Sequence, residues 1–335
     1  MSLLRHTLGE LTDLLGSRAR ALALLRWAWD GAPAVLPERL SGVSHRVLDP
    51  LRARLTLPSP RLHARAPSSD GTVKVALDFD GALVESVLIP AKGRSTVCVS
   101  SQSGCTRSCR FCATATLGFR RHLKAEEMVA QVRLARAEAS ADAPVRGVVF
   151  MGMGEPFDNL DEVLRAVTLL TQAPAPQLRT ESVTVSTSGV LPGLERFLAE
   201  SSASLALSLN GTTDAQRTAL MPHNKTWPIE ALLGALRRNA VREPRREHFI
   251  EYIVFDGVND SPADAERLVE LLDGIPARIN VIPFNPVAGL PYRAPNEASV
   301  LAFQAQVVAR GRLCLVRWPR GREVAAVCGQ LALTG

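Results

Sequence analysis

Thr96-Val97-Cys98-Val99-Ser100-Ser101-Gln102-Ser103-Gly104-Cys105-Thr106-Arg107-Ser108-Cys109-Arg110-Phe111-Cys112 is the stretch that decides the fold. Residues Thr96–Ser100 read as a buried strand, and three cysteines follow in a C-x3-C-x2-C spacing. Thiols this dense point to metal chemistry. Structural zinc needs four local ligands, and no fourth Cys or His is near, since His122 lies ten residues beyond Cys112. Three thiolates suit a 4Fe–4S cluster instead, with one iron left open for a ligand derived from the substrate.

Downstream, strand, loop and helix repeat. Strands are expected at Thr96–Ser100, Gly147–Met151, Ser182–Thr187, Leu205–Leu209, Phe249–Phe255 and Ile279–Phe284. Helical periodicity intervenes at 125–139, 159–172, 193–200, 228–240 and 262–273. This pattern predicts an α/β fold, a parallel sheet curled into a partial (β/α)6 barrel with active groups on the loops after its strands. A last helix over 296–310 and a strand at Leu313–Trp318 close the chain.

Upstream, Leu11, Leu14, Leu15, Leu22, Leu25 and Trp29 recur at helical spacing, and Pro33, Pro37 and Pro50 should break that region into short helices. Pro58, Pro60 and Pro67 mark a linker. Val73, Val75, Leu77 and Phe79 alternate, Asp80-Gly81 turns, and Leu83, Val87 and Ile89 continue, which is a hairpin signature. The expected organisation is a helical domain over 1–57, a linker and hairpin over 58–94, and the barrel with its C-terminal strand and tail over 95–335. Leu77-Asp78-Phe79-Asp80-Gly81 imitates the nucleophile motif of haloacid-dehalogenase-type phosphatases. That motif needs a buried parallel strand leading into a helix, and a hairpin supplies neither.

The 335 residues are 46% hydrophobic and 21% charged, which excludes a disordered or fibrous chain. Six cysteines in that length make no disulfide scaffold. Lysine and arginine outnumber acids 39 to 33, a net charge of +6 that favours an anionic partner such as RNA. Arg46, Arg52, Arg54, Arg61 and Arg65 gather before residue 69. Aromatics at 5% argue against a base-stacking sheet surface. No apolar run reaches the ~18 residues of a membrane span and no secretory signal is evident, so a soluble, cytoplasmic protein is expected.

The cysteine motif, with Phe111 before its last Cys, resembles that of the radical S-adenosylmethionine (radical SAM) superfamily. There the open iron chelates SAM, whose reductive cleavage gives methionine and a 5′-deoxyadenosyl radical. Phe150-Met151-Gly152-Met153-Gly154-Glu155-Pro156 resembles the superfamily motif for the SAM amino group. The flanks narrow this further: Cys98 to Cys105, Gly118-Phe119, Ser186-Thr187-Ser188-Gly189, Leu220-Met221-Pro222, Asp256-Gly257-Val258-Asn259-Asp260, Ile282-Pro283-Phe284-Asn285-Pro286 and Ala326-Val327-Cys328-Gly329-Gln330-Leu331. Together they resemble the RNA adenosine methyltransferases, which comprise carbon-2 enzymes of 23S rRNA and tRNA and carbon-8 resistance enzymes.

The resemblance implies a set of roles. Cys105, Cys109 and Cys112 hold the cluster. Cys328 is methylated by one SAM, loses hydrogen to the radical from a second, and links to adenine through a thioether. Glu85 occupies the proton-acceptor position, and Cys98 resolves the link through a transient disulfide with Cys328. Gly154, Glu155, Ser186, Ser208, Leu209, Asn210 and Asn285 contact SAM. The implied partners are rRNA or tRNA and a one-electron reductant such as flavodoxin, around a monomeric enzyme. Cys314 matches no motif and is expected in the core.

Two departures stand out. Ser208-Leu209-Asn210 replaces the family's Ser-Leu-His. Arg320-Gly321-Arg322-Glu323-Val324-Ala325-Ala326-Val327-Cys328 replaces Arg-Gly-Asp-Asp-Ile-Asp-Ala-Ala-Cys, leaving one acid of three. The second departure keeps a peptide or small-molecule methylase open as an alternative. A non-catalytic RNA-binding relict is the third reading, disfavoured by the survival of all five mechanistic cysteines.

Overall fold

The computed structural model describes residues 2–30, 35–172, 174 and 178–332. Three helices open the chain: α1 (Leu8–Leu15), α2 (Arg18–Trp29) and α3 (His45–Arg52). Thr7 and Glu10 cap α1 reciprocally, and Ser17 accepts the Arg20 N–H of α2. Pro50 does not end a helix as expected but sits inside α3, where one backbone donor is simply absent. Pro33 lies outside the described residues.

An antiparallel meander follows, made of β1 (Arg61–Pro67), β2 (Val73–Phe79), β3 (Ala82–Ala91) and β4 (Arg94–Cys98). The region expected as a proline-marked linker is therefore a strand in part. Pro67 closes β1 at the sheet edge, where a missing N–H is tolerated. Asp80 and Gly81 both take positive φ, 53° and 85°, the two-residue turn that matches strand twist. It pairs Phe79 with Ala82 and, down the ladder, Ala76 with Glu85 and Lys74 with Val87.

Beyond β4, a separate small hairpin of β5 (Gln102–Gly104) and β6 (Phe119–His122) brackets the cysteine loop and α4 (Ala113–Thr116). Then come α5 (Ala125–Glu138), β7 (Val145–Phe150), α6 (Leu160–Gln172), β8 (Val183–Thr187), α7 (Leu191–Glu200), β9 (Ser204–Ser208), α8 (Asp214–Leu220), α9 (Ile229–Arg242), β10 (His248–Val254), α10 (Pro262–Leu271), β11 (Ala277–Pro283), α11 (Glu297–Ala309) and β12 (Cys314–Val316). The short elements α4, β5, β6 and α8 escape sequence reading because none is long enough to show a period.

Among the described residues ten strands form one sheet in the order β1-β2-β3-β4-β7-β8-β9-β10-β11-β12, parallel from β4 onward. This is the expected partial (β/α)6 barrel with its C-terminal strand, extended at one edge by the meander. Alternation sorts the faces. Val97, Val148, Val183, Leu205, Leu207, Ile250 and Ile279 are fully buried in the main apolar core. The residues between them, including Cys98, Ser186, Ser208, Glu251 and Asn280, turn to the barrel interior.

Candidate active site

The cysteine loop is closed by backbone. Gly104 has φ 73°, and a Cβ there would sit 1.7 Å from the Gly118 carbonyl oxygen, so only glycine lets the two walls meet. Cys105 donates its N–H to that same oxygen at 3.1 Å, and Arg107 donates its backbone N–H to the Cys105 sulfur at 3.3 Å. Arg107 also pairs with Asp158 and lies over the Trp227 ring at 5.3 Å. Burial pushes the Cys105 thiol up to about 12. Burial first, then Cys112 and Cys105, raise that of Cys109. Phe111, Leu220, Met221, Phe255 and Phe284 form an apolar cluster against Cys109 and Cys112. The loop thus carries three free, half-buried thiols whose charges act on one another. Among the described residues no three His, Cys, Asp or Glu side chains are placed to hold a single metal ion.

The loop after β7 packs directly on this region. A Cβ on Gly152 would lie 2.7 Å from Ser100 Oγ and from the Val99 carbonyl oxygen. Glu155 is buried, and that burial raises its pKa against the pull of its hydrogen bonds. Its Oε1 accepts from the Phe157 N–H at 3.0 Å and Thr187 Oγ1 at 2.8 Å; Oε2 accepts from the Ser188 N–H at 2.8 Å and Ser188 Oγ at 2.7 Å. One carboxylate therefore ties the β7 loop to the end of β8. Gly154 precedes it in the loop, Ser186 lies near the end of β8, and Ser208 ends β9 with Leu209 following.

Asn210 is used by the fold. It holds a left-handed φ of 55°, which asparagine tolerates. Its Oδ1 accepts from the Ile253 N–H at 2.9 Å and its Nδ2 meets the Met221 sulfur at 3.4 Å. The Asn285 amide donates to the Pro283 carbonyl at 3.1 Å. Arg217, a residue the sequence did not single out, is fully buried and binds carbonyls of Leu209 at 3.0 Å and Ser208 at 3.3 Å, and also that of Ser188. Burial lowers its pKa to about 10, opposed by Cys109 and other acids.

Of the three other thiols, Cys98 and Cys328 influence each other electrostatically. Cys98 ends β4, opposite Val87 and Val149, and burial followed by the charge of Cys328 pushes its pKa well up. Cys328 is exposed on the tail. Burial, then Glu251 and Cys112, raise it to about 11. Its tail is held on both sides. Before it, Glu323 accepts from Ser69 N at 3.0 Å, Ser69 Oγ at 2.6 Å and Ser68 Oγ at 3.2 Å, and Asp70 accepts from Gly321 N at 2.9 Å. After it, Ala113 N donates to the Gly329 carbonyl at 2.7 Å and Thr114 Oγ1 to that of Leu331 at 2.7 Å. Cys314 is buried in the core, as expected.

Glu85 is 1% exposed, and its Oε1 receives Lys74 Nζ at 2.8 Å. Its main chain is pinned to the site: Glu85 N meets the Met153 sulfur at 3.3 Å, and Ser100 Oγ donates to its carbonyl at 2.6 Å. Of the basic stretch, Arg52, Arg61 and Arg65 bind Asp49, Asp78 and Glu138 of their own chain.

A family model described as Radical SAM superfamily matches residues 99–272. "Probable RNA methyltransferase sce1580" of Sorangium cellulosum (strain So ce56) is 44% identical, with 98% of this chain and 86% of that protein covered. "Dual-specificity RNA methyltransferase RlmN" of Anaeromyxobacter sp. (strain Fw109-5) is 43% identical, with 98% and 89% covered. The chain belongs to the RlmN-type radical SAM RNA methyltransferases. A crystal structure of a radical SAM methyltransferase from Sphaerobacter thermophilus shares its fold at a TM-score of 0.89 and 36% identity, over 99% of each chain. An enzyme of this family uses SAM and a 4Fe–4S cluster. The donor set fits: three free thiols on one short loop, with no fourth Cys or His close to them in sequence. Among the described residues no helix is long and apolar enough to cross a membrane.

Proposed function

We propose that this enzyme methylates a ring carbon of adenine, carbon 2, in rRNA or tRNA through a protein-bound methyl carrier. The observation that carries this reading is the placement of Cys328. Its tail is hydrogen-bonded through Gly329 to Ala113, the residue after Cys112, and through Gly321 and Glu323 to the β1–β2 turn. A methyl group carried there would lie beside the cofactor loop, within electrostatic reach of Cys98.

Cys105, Cys109 and Cys112 would hold the cluster, and Gly154, Glu155, Ser186, Ser208, Leu209, Asn210 and Asn285 would line the SAM site. Glu155 would receive the SAM ammonium in exchange for part of its present donor set, and Asn210 and Asn285 would act through backbone position. When bound, the cluster and SAM supply a methyl group and a carbon-centred radical. The protein does the rest. Cys328 carries the methyl carbon and joins it to adenine as a thioether. Glu85 takes the ring proton. Cys98 then bonds to the Cys328 sulfur as the sulfur–carbon bond breaks; the electron pair stays with carbon, which takes a proton to become methyl. A dithiol reductant would reopen the disulfide, and a flavodoxin-like protein would supply single electrons. The helical region 1–57 would contact RNA, with 58–94 joining it to the catalytic region 95–335, in a cytoplasmic monomer.

The test is anaerobic reaction of the reconstituted enzyme with ribosomal and transfer RNA and methyl-labelled SAM, read by nucleoside mass spectrometry. Label in 2-methyladenosine is expected. Label in 8-methyladenosine alone, or in no nucleoside, would overturn the carbon-2 reading.

A further inference from the structure

Lys74 is a lysine in a place that disfavours one. It lies on β2 with a side chain 5% exposed and pairs at 2.8 Å with Glu85, which is 1% exposed. Burying two charges costs desolvation of both, and an apolar pair of similar volume is often at least as stable. Its retention therefore asks for a chemical reason.

Register supplies one. Lys74 is opposite Val87, and Val87 is opposite Cys98, so Lys74, Glu85 and Cys98 share one face of β2, β3 and β4. That face is continuous with the barrel interior. Glu85 keeps its β2 partner Ala76 but sits beyond the last β3–β4 pair, and on that side its backbone meets Met153 and Ser100 instead of a strand residue. The pair is thus fixed beside the loop that carries Gly154 and Glu155.

We propose that Lys74 is a positioning residue for the proton acceptor, holding Glu85 as a charged, aimed carboxylate inside a dry site until the adenine ring proton arrives. This rests on Glu85 being that acceptor. After the methylene radical on Cys328 adds to the ring carbon, the ring C–H bond breaks: its proton passes to Glu85, the bonding pair stays in the ring, and the ring's unpaired electron leaves to a one-electron acceptor of the iron–sulfur or flavin class. Without the ammonium, a carboxylate so deeply buried would lose the attraction that offsets its desolvation and fixes its aim.

The experiment compares Lys74→Met, Lys74→Arg and Glu85→Gln in the full, reconstituted enzyme, on RNA whose adenosines carry deuterium at both reactive ring carbons. Glu85→Gln should lose RNA methylation while still cleaving SAM. Lys74→Met should lose methylation roughly 100-fold and show a primary isotope effect that the wild type lacks, because proton removal has become slow. Lys74→Arg, which keeps the charge, should recover at least a tenth of the rate. Infrared difference spectra against Glu85→Gln should show a carboxylate band in wild type and a protonated carboxyl band in Lys74→Met. Should Lys74→Met not fold, Lys74→Gln keeps a polar head without charge and reads the same contrast. Normal methylation by Lys74→Met, or loss without isotope effect or change in the carboxyl band, overturns the role of Lys74 alone. Normal methylation by Glu85→Gln overturns the acceptor itself.

Discussion

The parallel strands β4 and β7 to β12 and the antiparallel strands β1 to β3 form one sheet, but they bring different chemistry to the barrel mouth. The parallel part gathers what a cofactor needs: the cysteine loop, the glycine-rich turn after β7, and Glu155 bridging to Ser188. The meander brings what the proposed chemistry on the nucleic-acid carbon would need. It contributes Lys74 and Glu85, and its β1–β2 turn grips the tail that carries Cys328. Cys98 stands at the seam, paired with β3 on one side and β7 on the other. On the proposed roles, making a radical and using it would fall to separate parts of one sheet, and so should separate by mutation.

The largest effects should show that separation directly. Cys109→Ala, in the parallel part, should bind less iron and abolish SAM cleavage together with every later step. Cys328→Ala should still cleave SAM reductively and never methylate RNA. Cys98→Ala should stall after the carbon–carbon bond forms and accumulate protein joined to RNA, because resolution needs a second thiol within bonding reach. Cys314→Ala should do none of these. A denaturing gel probed for RNA-linked protein, run beside an assay for 5′-deoxyadenosine, distinguishes all four. Free methylated RNA from Cys98→Ala at the wild-type rate would break the division of labour.

A second contrast concerns charge inside the barrel. Glu251 is buried, and burial raises its pKa from 4.5 to about 7, opposed by the Asn280 hydrogen bond at 2.8 Å and by Arg317. A folded-state pKa above the unfolded one means that the fold binds this proton more tightly. Its contribution to stability is therefore full below about 4.5 and lost as pH rises through about 7. Between pH 5 and 8 the wild type should lose on the order of 2–3 kcal/mol from this group. Glu251→Gln keeps the shape and the Asn280 bond without the charge, so its denaturant midpoint should be flatter across that range and higher than wild type at pH 8. Parallel pH profiles for the two proteins would show that Glu251 is not the buried titrating group.

Sequence reading reached the two parts unequally, for physical reasons. The cysteine spacing is local, so the loop could be read directly, and the alternation of apolar and helical stretches exposed six barrel units. Lys74 was passed over because its meaning depends on a partner eleven residues away. The signal was present, since a two-residue Asp80-Gly81 turn forces Ala76 opposite Glu85 and leaves Lys74 on the same face. Glu251 is likewise visible only as an acid between Ile250 and Tyr252 in a strand; what makes it unusual is the sheet around it. Asn210 shows the converse, a residue assigned to the cofactor by resemblance whose amide the fold uses to join β9 to β10. Strand β1 was read as linker because prolines dominate its flanks, and an edge strand can tolerate them.

The smallest effects should come from the tail, where the meander and the barrel compete to hold one segment. Glu323, the acid retained from the family's three, makes all its contacts with Ser68 and Ser69 in the β1–β2 turn. Two residues on, Ala325 stands at φ 49° where the family pattern has an aspartate. A left-handed conformation costs an ordinary L-residue about 1–2 kcal/mol, and aspartate or glycine less. The tail is thus clamped at one residue and strained at another. Opposite outcomes follow. Glu323→Ala should loosen the segment and slow RNA methylation several-fold with SAM cleavage unchanged. Ala325→Gly should relieve strain, net about 0.5–1 kcal/mol after the added freedom of the unfolded chain is counted. Amide hydrogen exchange over 321–328 should quicken in the first variant and slow in the second. If both variants exchange like wild type, the β1–β2 turn does not position Cys328, and the barrel side, through Ala113 and Thr114, holds the tail alone.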